Sequence, residues 1–372
     1  MLQAAHIRVT TNPCTVEDSK SMTLQEATGR LTDLLQSFKK VFLFSGGHSY
    51  VISGAKSLMD AVLSNKEVTR FNGFANNPNM DDVKKGVALF QTTDAQCIIA
   101  IGGGSVMDMA KLVRHYADKY ELPIIAIPTT AGTGAEVTHF AVCYIDGAKQ
   151  SIADSRMRPE HCLLVPELTL NNSDYLTACT GFDAFAQSIE AYWNINATEI
   201  SDAFAEKALA NLLPALTEVV VAHHNTLENR EKLLLGAMLS GEAINITKTT
   251  APHAVSYTLT TEYSYPHGHA VALTFPYFFD HFVHATKENY CGSDFEKYSQ
   301  KMQRLLKLLH ISEGTDLYVW MRKLRDALCL GYNPKQPFDD SVVVKGVNLE
   351  RAKNSPCHLN ESIIAQAVAS IR

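Results

Sequence analysis

Asp183 and Gln187 stand four residues apart in 181-GFDAFAQSIEAYW-193, and Glu190 follows three further on. Residues i and i+4 of a helix share a face, so the carboxylate and the amide point the same way. Such a pair can grip a metal ion. A histidine is the ordinary partner at that spacing, and a neutral amide oxygen is a harder, weaker donor than imidazole. A second polar set lies in 252-PHAVSYTLTTEYSYPHGHA-270, which offers His253, Tyr257, His267 and His269. His253 and Tyr257 repeat the four-residue spacing. A lone helical histidine is more often structural than a ligand. Three histidines within 17 residues, beside Asp183 and Gln187 on another helix, point to a metal site.

A different chemistry is written in 100-AIGGGSVMDMAK-111, which reads as strand, three glycines and a serine, then helix. Glycines let backbone N–H groups approach an anion, and the helix start adds partial positive charge. Ser105 adds a hydroxyl. The pattern is neither GxGxxG nor a Walker A loop, and a tight turn without a ligand is the bland alternative. The next loop, 128-PTTAGTGAEVTH-139, concentrates Thr129, Thr130, Gly132, Thr133 and Gly134. Loops at the carboxyl ends of neighbouring parallel strands line one crevice, so the two together point to a dinucleotide.

The elements that must position these residues fall into two halves. Apolar runs at 40–46, 97–105 and 122–130 alternate with helical stretches near 48–64 and 106–120. That alternation predicts a parallel sheet with helices on its faces. From about Ser173 the β-branched runs largely vanish and helical periodicity takes over, at 201–224, 229–246, 294–311 and 313–330. The turn-rich 166-PELTLNNSD-174 marks the boundary. The expectation is an α/β dinucleotide domain over 1–170 and an all-helical metal and substrate domain over 171–372, with a cleft between them for a small molecule.

Bulk properties exclude several classes. The 372 residues are 46% hydrophobic and 19% charged, with a formal net charge of -6 and a pI near 6.2. Nothing favours nucleic acid or an anionic membrane. The eight cysteines, Cys14, Cys97, Cys143, Cys162, Cys179, Cys291, Cys329 and Cys357, form no CxxC pair, which suits reduced thiols in a cytoplasmic protein. The opening MLQAAHIRVTTNP carries no basic region followed by an apolar core, and no apolar run approaches the ~20 residues of a membrane span.

Taken together, 76-NNPN-79, 102-GGGSVMDMAK-111, 127-IPTTAGTGAEVT-138, 181-GFDAFAQSIEAY-192, 266-PHGHAVAL-273 and 356-PCHLNESI-363 resemble the iron-containing, or group III, alcohol dehydrogenases over almost the whole chain. The resemblance implies a Rossmann-like domain followed by a helical metal-binding domain, a dehydroquinate synthase-like arrangement. It implies a divalent metal, Fe2+ or Zn2+, and NAD or NADP, with a small alcohol or aldehyde as substrate and a homo-oligomer, a dimer, as the assembly. Carried over residue by residue, Gly102, Gly103, Gly104 and Ser105 hold the cofactor pyrophosphate, Thr129, Thr130, Thr133 and Lys149 lie near the cofactor, and Asp108 joins that set. Asp183, Gln187, His253 and His267 match the metal ligands.

Three positions depart from the family pattern. Gln187 and Tyr257 each replace a histidine, the second one assigned to proton relay. Tyr257 could still pass a proton with its ordinary pKa of about 10 lowered, and His269 is a candidate substitute beside His267. At 42-FLFSGGHS-49, Ser45 and Gly46 stand where many relatives carry an aspartate after the first strand, which weakens discrimination against NADP. Within the superfamily the glutamine resembles a branch containing 3-deoxy-manno-octulosonate 8-oxidase, which serves lipopolysaccharide synthesis. A reductase of small anionic aldehydes such as phosphonoacetaldehyde is the competing reading, and a non-catalytic cofactor-binding relative is the alternative of another class.

Overall fold

The computed structural model describes residues 20–372, so Cys14 and the opening thirteen residues lie outside the described part. The chain divides into two compact units. The first comprises residues up to Thr129 together with Ala135–Val165, and the second comprises Thr130–Gly134 together with Pro166–Arg372. The turn-rich segment therefore begins the second unit at Pro166, and a five-residue loop from the first half of the sequence is assigned to that unit.

In the first unit the three apolar runs are strands, β1 (Lys40–Ser45), β3 (Cys97–Gly102) and β4 (Ile124–Pro128), and four strands outside those runs join them, β2 (Glu67–Phe71), β5 (Phe140–Ile145), β6 (Ala148–Ala153) and β7 (His161–Cys162). Five of them form one sheet in the order β2-β1-β3-β4-β7, every pair parallel, while β5 and β6 form an antiparallel hairpin. Every residue of β3 and β4 is buried, as a strand covered on both faces requires. The helices are α1 (Leu24–Leu34), α2 (His48–Ile52), α3 (Ala55–Leu63), α4 (Met80–Gln91) and α5 (Gly104–Tyr116).

Two cations inside α5 fix the loops after β4. Lys111 is fully buried and donates to the carbonyls of Ala135, at 2.9 Å, and Phe140, at 2.5 Å, and to the Thr138 hydroxyl, at 3.1 Å. Arg114, equally buried, pairs with Glu160 at 2.8 Å and donates to the carbonyls of Leu122, Arg156 and Arg158. Buried charges persist only when paired and hydrogen-bonded in this way.

The second unit is helical, as its periodicity predicts: α6 (Asp174–Trp193), α7 (Glu199–Leu216), α8 (Leu227–Thr247), α9 (Ala251–Thr261), α10 (His267–Val283), α11 (Phe295–Leu308), α12 (Leu317–Ala327), α13 (Asp340–Lys345) and α14 (Glu361–Ala369). α6 is central. Its residues from Gly181 to Trp193 are all buried, and it packs against α7, α8 and α10. The α6–α10 crossing is close because Gly268 has no side chain. A Cβ there would lie 1.8 Å from the Cys179 carbonyl oxygen. Among the described residues, no helix is long and apolar enough to cross a membrane.

Candidate active site

The metal candidates sit on three helices of the second unit. Ser173 caps α6 by accepting from the Leu176 N–H, and the helix carries Asp183, Gln187 and Glu190 along one buried side. His253 and Tyr257 lie one turn apart on α9, whose start is set by Pro252 in its first turn. His267 is the first residue of α10. One donor atom each from Asp183, His253 and His267 falls within 4.8 Å of the others. His253 Nε2 is 3.1 Å and His267 Nε2 is 3.8 Å from the same Asp183 Oδ1.

Behind these donors runs a chain of hydrogen bonds. Glu190, fully buried, accepts from His253 Nδ1 through one oxygen. Its other oxygen accepts from the Thr250 N–H at 2.6 Å and hydroxyl at 2.7 Å. Thr250 in turn accepts from the Trp193 indole N–H at 3.0 Å. Burial alone would lower the His253 pKa, but Glu190 and Asp183 outweigh it and lift the ring to about 9. A carboxylate behind a ligating imidazole fixes its tautomer and orientation. Carboxylate and imidazole donors facing one another in a largely buried site suit a divalent transition metal.

Gln187 is placed differently from the other three. Its Nε2 donates to Asp183 Oδ2 at 3.3 Å, and its Oε1 accepts from the Ser240 hydroxyl at 3.0 Å. In this orientation the amide presents N–H, not oxygen, to the cluster. Tyr257 stacks on His267, with centroids 6.3 Å apart and planes at 23°. Burial raises its pKa, and the Arg351 guanidinium, 5.1 Å from the ring centre, offsets only part of that rise, so the lowered pKa expected of a proton relay is corrected to a raised one.

His269 does not join this cluster. Its Nδ1 accepts from the Tyr175 hydroxyl and its Nε2 donates to the Gly331 carbonyl, both at 2.9 Å, so the ring is committed and neutral. Burial lowers its pKa, consistent with that state. The expectation that His269 serves beside His267 as a substitute is corrected, because the ring is committed to Tyr175 and Gly331 away from the cluster.

The cofactor candidates divide between the units. In the first, Gly102 ends β3, Gly103 caps α5 and Gly104 begins it. A Cβ at Gly102 would meet Val106 at 2.5 Å, so the turn needs glycine there. Ser105 donates to the Asn76 carbonyl, and the Thr129 N–H donates to the Gly102 carbonyl at 2.9 Å. Lys149 lies on β6 opposite Tyr144. Asp108 is corrected from a cofactor contact to an internal brace, because it accepts from the Val142 N–H at 3.0 Å and pairs with Lys111 at 3.2 Å. In the second unit are Thr130 and the exposed Thr133. The glycines beside them serve helix packing. A Cβ at Gly132 would lie 2.9 Å from the Thr180 side chain, and Gly134, at φ +65°, would meet the Gly241 Cα at 2.4 Å.

The sequence family described as iron-containing alcohol dehydrogenase matches residues 19–166, and its C-terminal counterpart matches residues 177–328. The chain belongs to the iron-containing alcohol dehydrogenase family. Curated relatives include a 1-propanol dehydrogenase of Citrobacter freundii, 31% identical over 225 residues that cover 59% of this chain and 60% of that protein. A probable alcohol dehydrogenase of Escherichia coli strain K12 is 35% identical over 54% of each chain. The chain thus spans six tenths or less of the length of these relatives. Among solved structures, an iron-containing alcohol dehydrogenase of Thermotoga maritima matches with TM-score 0.77 and 26% identity, covering 95% of this chain and 98% of that one. A sulfoacetaldehyde reductase of Bifidobacterium kashiwanohense shares the fold, with TM-score 0.80 and 23% identity over 97% and 98% of the two chains. The family read from the six motifs is borne out.

Sequence reasoning missed Ser240, Thr250 and Arg351. Thr250 carries a weak signal, since it precedes Ala251 and Pro252 at a helix start, where a hydroxyl residue is common. Ser240 and Arg351 lie in no motif.

Proposed function

We propose that this chain is a metal-dependent alcohol dehydrogenase that moves hydride between the carbinol carbon of a primary alcohol and a nicotinamide nucleotide. The observation that carries this reading is the cluster of Asp183, His253 and His267, with Glu190 behind His253. A divalent ion, Fe2+ or Zn2+, supplies acidification of the alcohol oxygen there, and NAD or NADP supplies the hydride acceptor.

The chain's own residues do the rest. Asp183 provides the charge that retains a cation in a buried site. Glu190 holds the His253 ring so that Nε2 faces Asp183. Tyr257, stacked on His267, is the group we assign to hand a proton to or from the substrate oxygen. Gly102, Gly103, Gly104 and Ser105 seat the pyrophosphate, and Thr129, Thr130, Thr133 and Lys149 line the cofactor. Retention of all three non-glutamine ligands favours an enzyme over a catalytically silent relative. The naming of the curated relatives as alcohol dehydrogenases supports the same reading. A cytoplasmic homodimer is the setting we propose.

Two substrates remain in view, the C8 hydroxyl of 3-deoxy-manno-octulosonate and phosphonoacetaldehyde. Both are anionic, and Arg351 beside Tyr257 supports a negatively charged substrate of either kind.

The test begins with elemental analysis of protein purified without chelator, followed by turnover assays with both nicotinamide nucleotides. Asp183→Ala and His267→Ala should lose metal and activity together. Full activity after verified metal removal would sink the mechanism, and neither metal nor turnover would favour the silent relative.

A further inference from the structure

Arg70 lies near the carboxyl end of β2 and is exposed. Its Nε donates to the Ser45 hydroxyl at 2.7 Å and its Nη2 to the Gly46 carbonyl at 2.9 Å. Its Cζ stands 4.1 Å from the centre of the Tyr50 ring. The guanidinium is therefore held flat and aimed by three neighbours. Those bonds use two of its five N–H groups. Among the described residues, no carboxylate lies within ion-pair distance of it.

The sheet register says what this group faces. Leu43 of β1 pairs with Arg70, and Ser45 of β1 pairs with Ile101 of β3. The residue after Ile101 is Gly102, where the glycine turn begins. The guanidinium and the glycine turn thus leave the same end of three adjacent parallel strands, and neighbouring strands are about 4.8 Å apart. In parallel sheets that bind dinucleotides, the pyrophosphate sits on the glycine turn and the adenosine ribose lies toward the next strand end. A carboxylate there accepts from the ribose hydroxyls, whereas an arginine accommodates a 2'-phosphate. Here Ser45 occupies the strand end, and its hydroxyl orients the arginine instead of competing with a phosphate. A planar guanidinium with free N–H edges matches a phosphate in a forked, charge-assisted pair.

We propose that Arg70, oriented by Ser45, the Gly46 carbonyl and Tyr50, is a 2'-phosphate site and that this chain selects NADP(H) over NAD(H). The proposal rests on the dinucleotide reading given above and adds the residue that chooses between the two cofactors.

The test uses calorimetric titration of the metal-loaded, full-length protein with adenosine 2',5'-bisphosphate and with 5'-AMP. The bisphosphate should bind about 10- to 100-fold more tightly, the range that a charge-assisted hydrogen bond contributes. Arg70→Gln should bring that ratio close to one, and Arg70→Lys should leave it intermediate. Ser45→Asp should reverse the preference by pairing Arg70 and repelling the phosphate. Melting curves check that each variant is folded. Equal binding of the two nucleotides by the wild type overturns the 2'-phosphate site and leaves the dinucleotide reading intact. An unchanged ratio in both Arg70→Gln and Ser45→Asp does the same. Binding of neither nucleotide overturns both.

Discussion

Gln187 turns its amide nitrogen toward Asp183 and its oxygen toward the Ser240 hydroxyl. A half-turn of the amide exchanges the two atoms. Nε2 then donates to Ser240, and Ser240 donates to the Ala184 carbonyl, already 3.0 Å away. Oε1 then faces Asp183 Oδ2, and two acceptors at such a distance need a cation between them. The amide accommodates the site with or without an ion, where an imidazole would favour the occupied state. Gln187→His should therefore raise Zn2+ affinity about tenfold or more, imidazole being the better donor for that ion. Competition against a chromophoric chelator measures it, and unchanged affinity would show that position 187 does not reach the ion.

Glu190 stands behind His253 and fixes the ring of that candidate ligand. Glu190→Gln keeps the shape and removes the charge from behind His253. Metal affinity should fall about 10- to 100-fold, as for other partners of ligating histidines. Metal content after dialysis against a weak chelator reads this directly. A fall in thermal stability with full metal retention would assign Glu190 to folding alone.

Gly268 joins the packing to the chemistry. The Cβ of Gly268→Ala would overlap the Cys179 carbonyl and come within 3.2 Å of the Asp183 Cβ. The start of α10 must then move away from α6 and take His267 with it. The variant should lose about 1–3 kcal/mol of stability from overpacking and retain less metal. Calorimetric melting and elemental analysis should report both losses, and a normal metal content would mean that the first turn of α10 can yield without moving His267.

Arg351, half-buried beside Tyr257, should discriminate by charge. The ratio of kcat/KM for phosphonoacetaldehyde to that for propanal should fall about tenfold or more in Arg351→Gln, the value of one charged hydrogen bond. An equal fall on both aldehydes would place Arg351 in support of Tyr257 and not in substrate recognition.

Local pattern made much of this legible. The run Cys97–Gly102 reads as a fully buried strand because every residue in it is apolar or glycine, and it is one. Asp183 with Gln187, and His253 with Tyr257, follow from helical spacing alone. His269 shows the limit of proximity in sequence. Two residues along a helix is about 200° around it, so His267 and His269 cannot share a face. The loop 128–139 points to a dinucleotide through its glycines and hydroxyls, yet density of glycine does not say whether a ligand or another helix needs the space, and Gly132 and Gly134 face helices. Arg70 and Arg351 could not be found at all, because their partners, Ser45 and Tyr257, are 25 and 94 residues away in sequence.

The three candidate ligands also differ in their access to water. The side chains of Asp183 and His253 are each 4% exposed, whereas that of His267 is 27% exposed. An ion held by these three residues would be released first by the one that solvent can reach, so removal should be ordered, with His267 letting go before the sealed pair. The residence time of an ion would then be set largely at His267, and a small chelator should strip it faster than a bulky one of equal affinity.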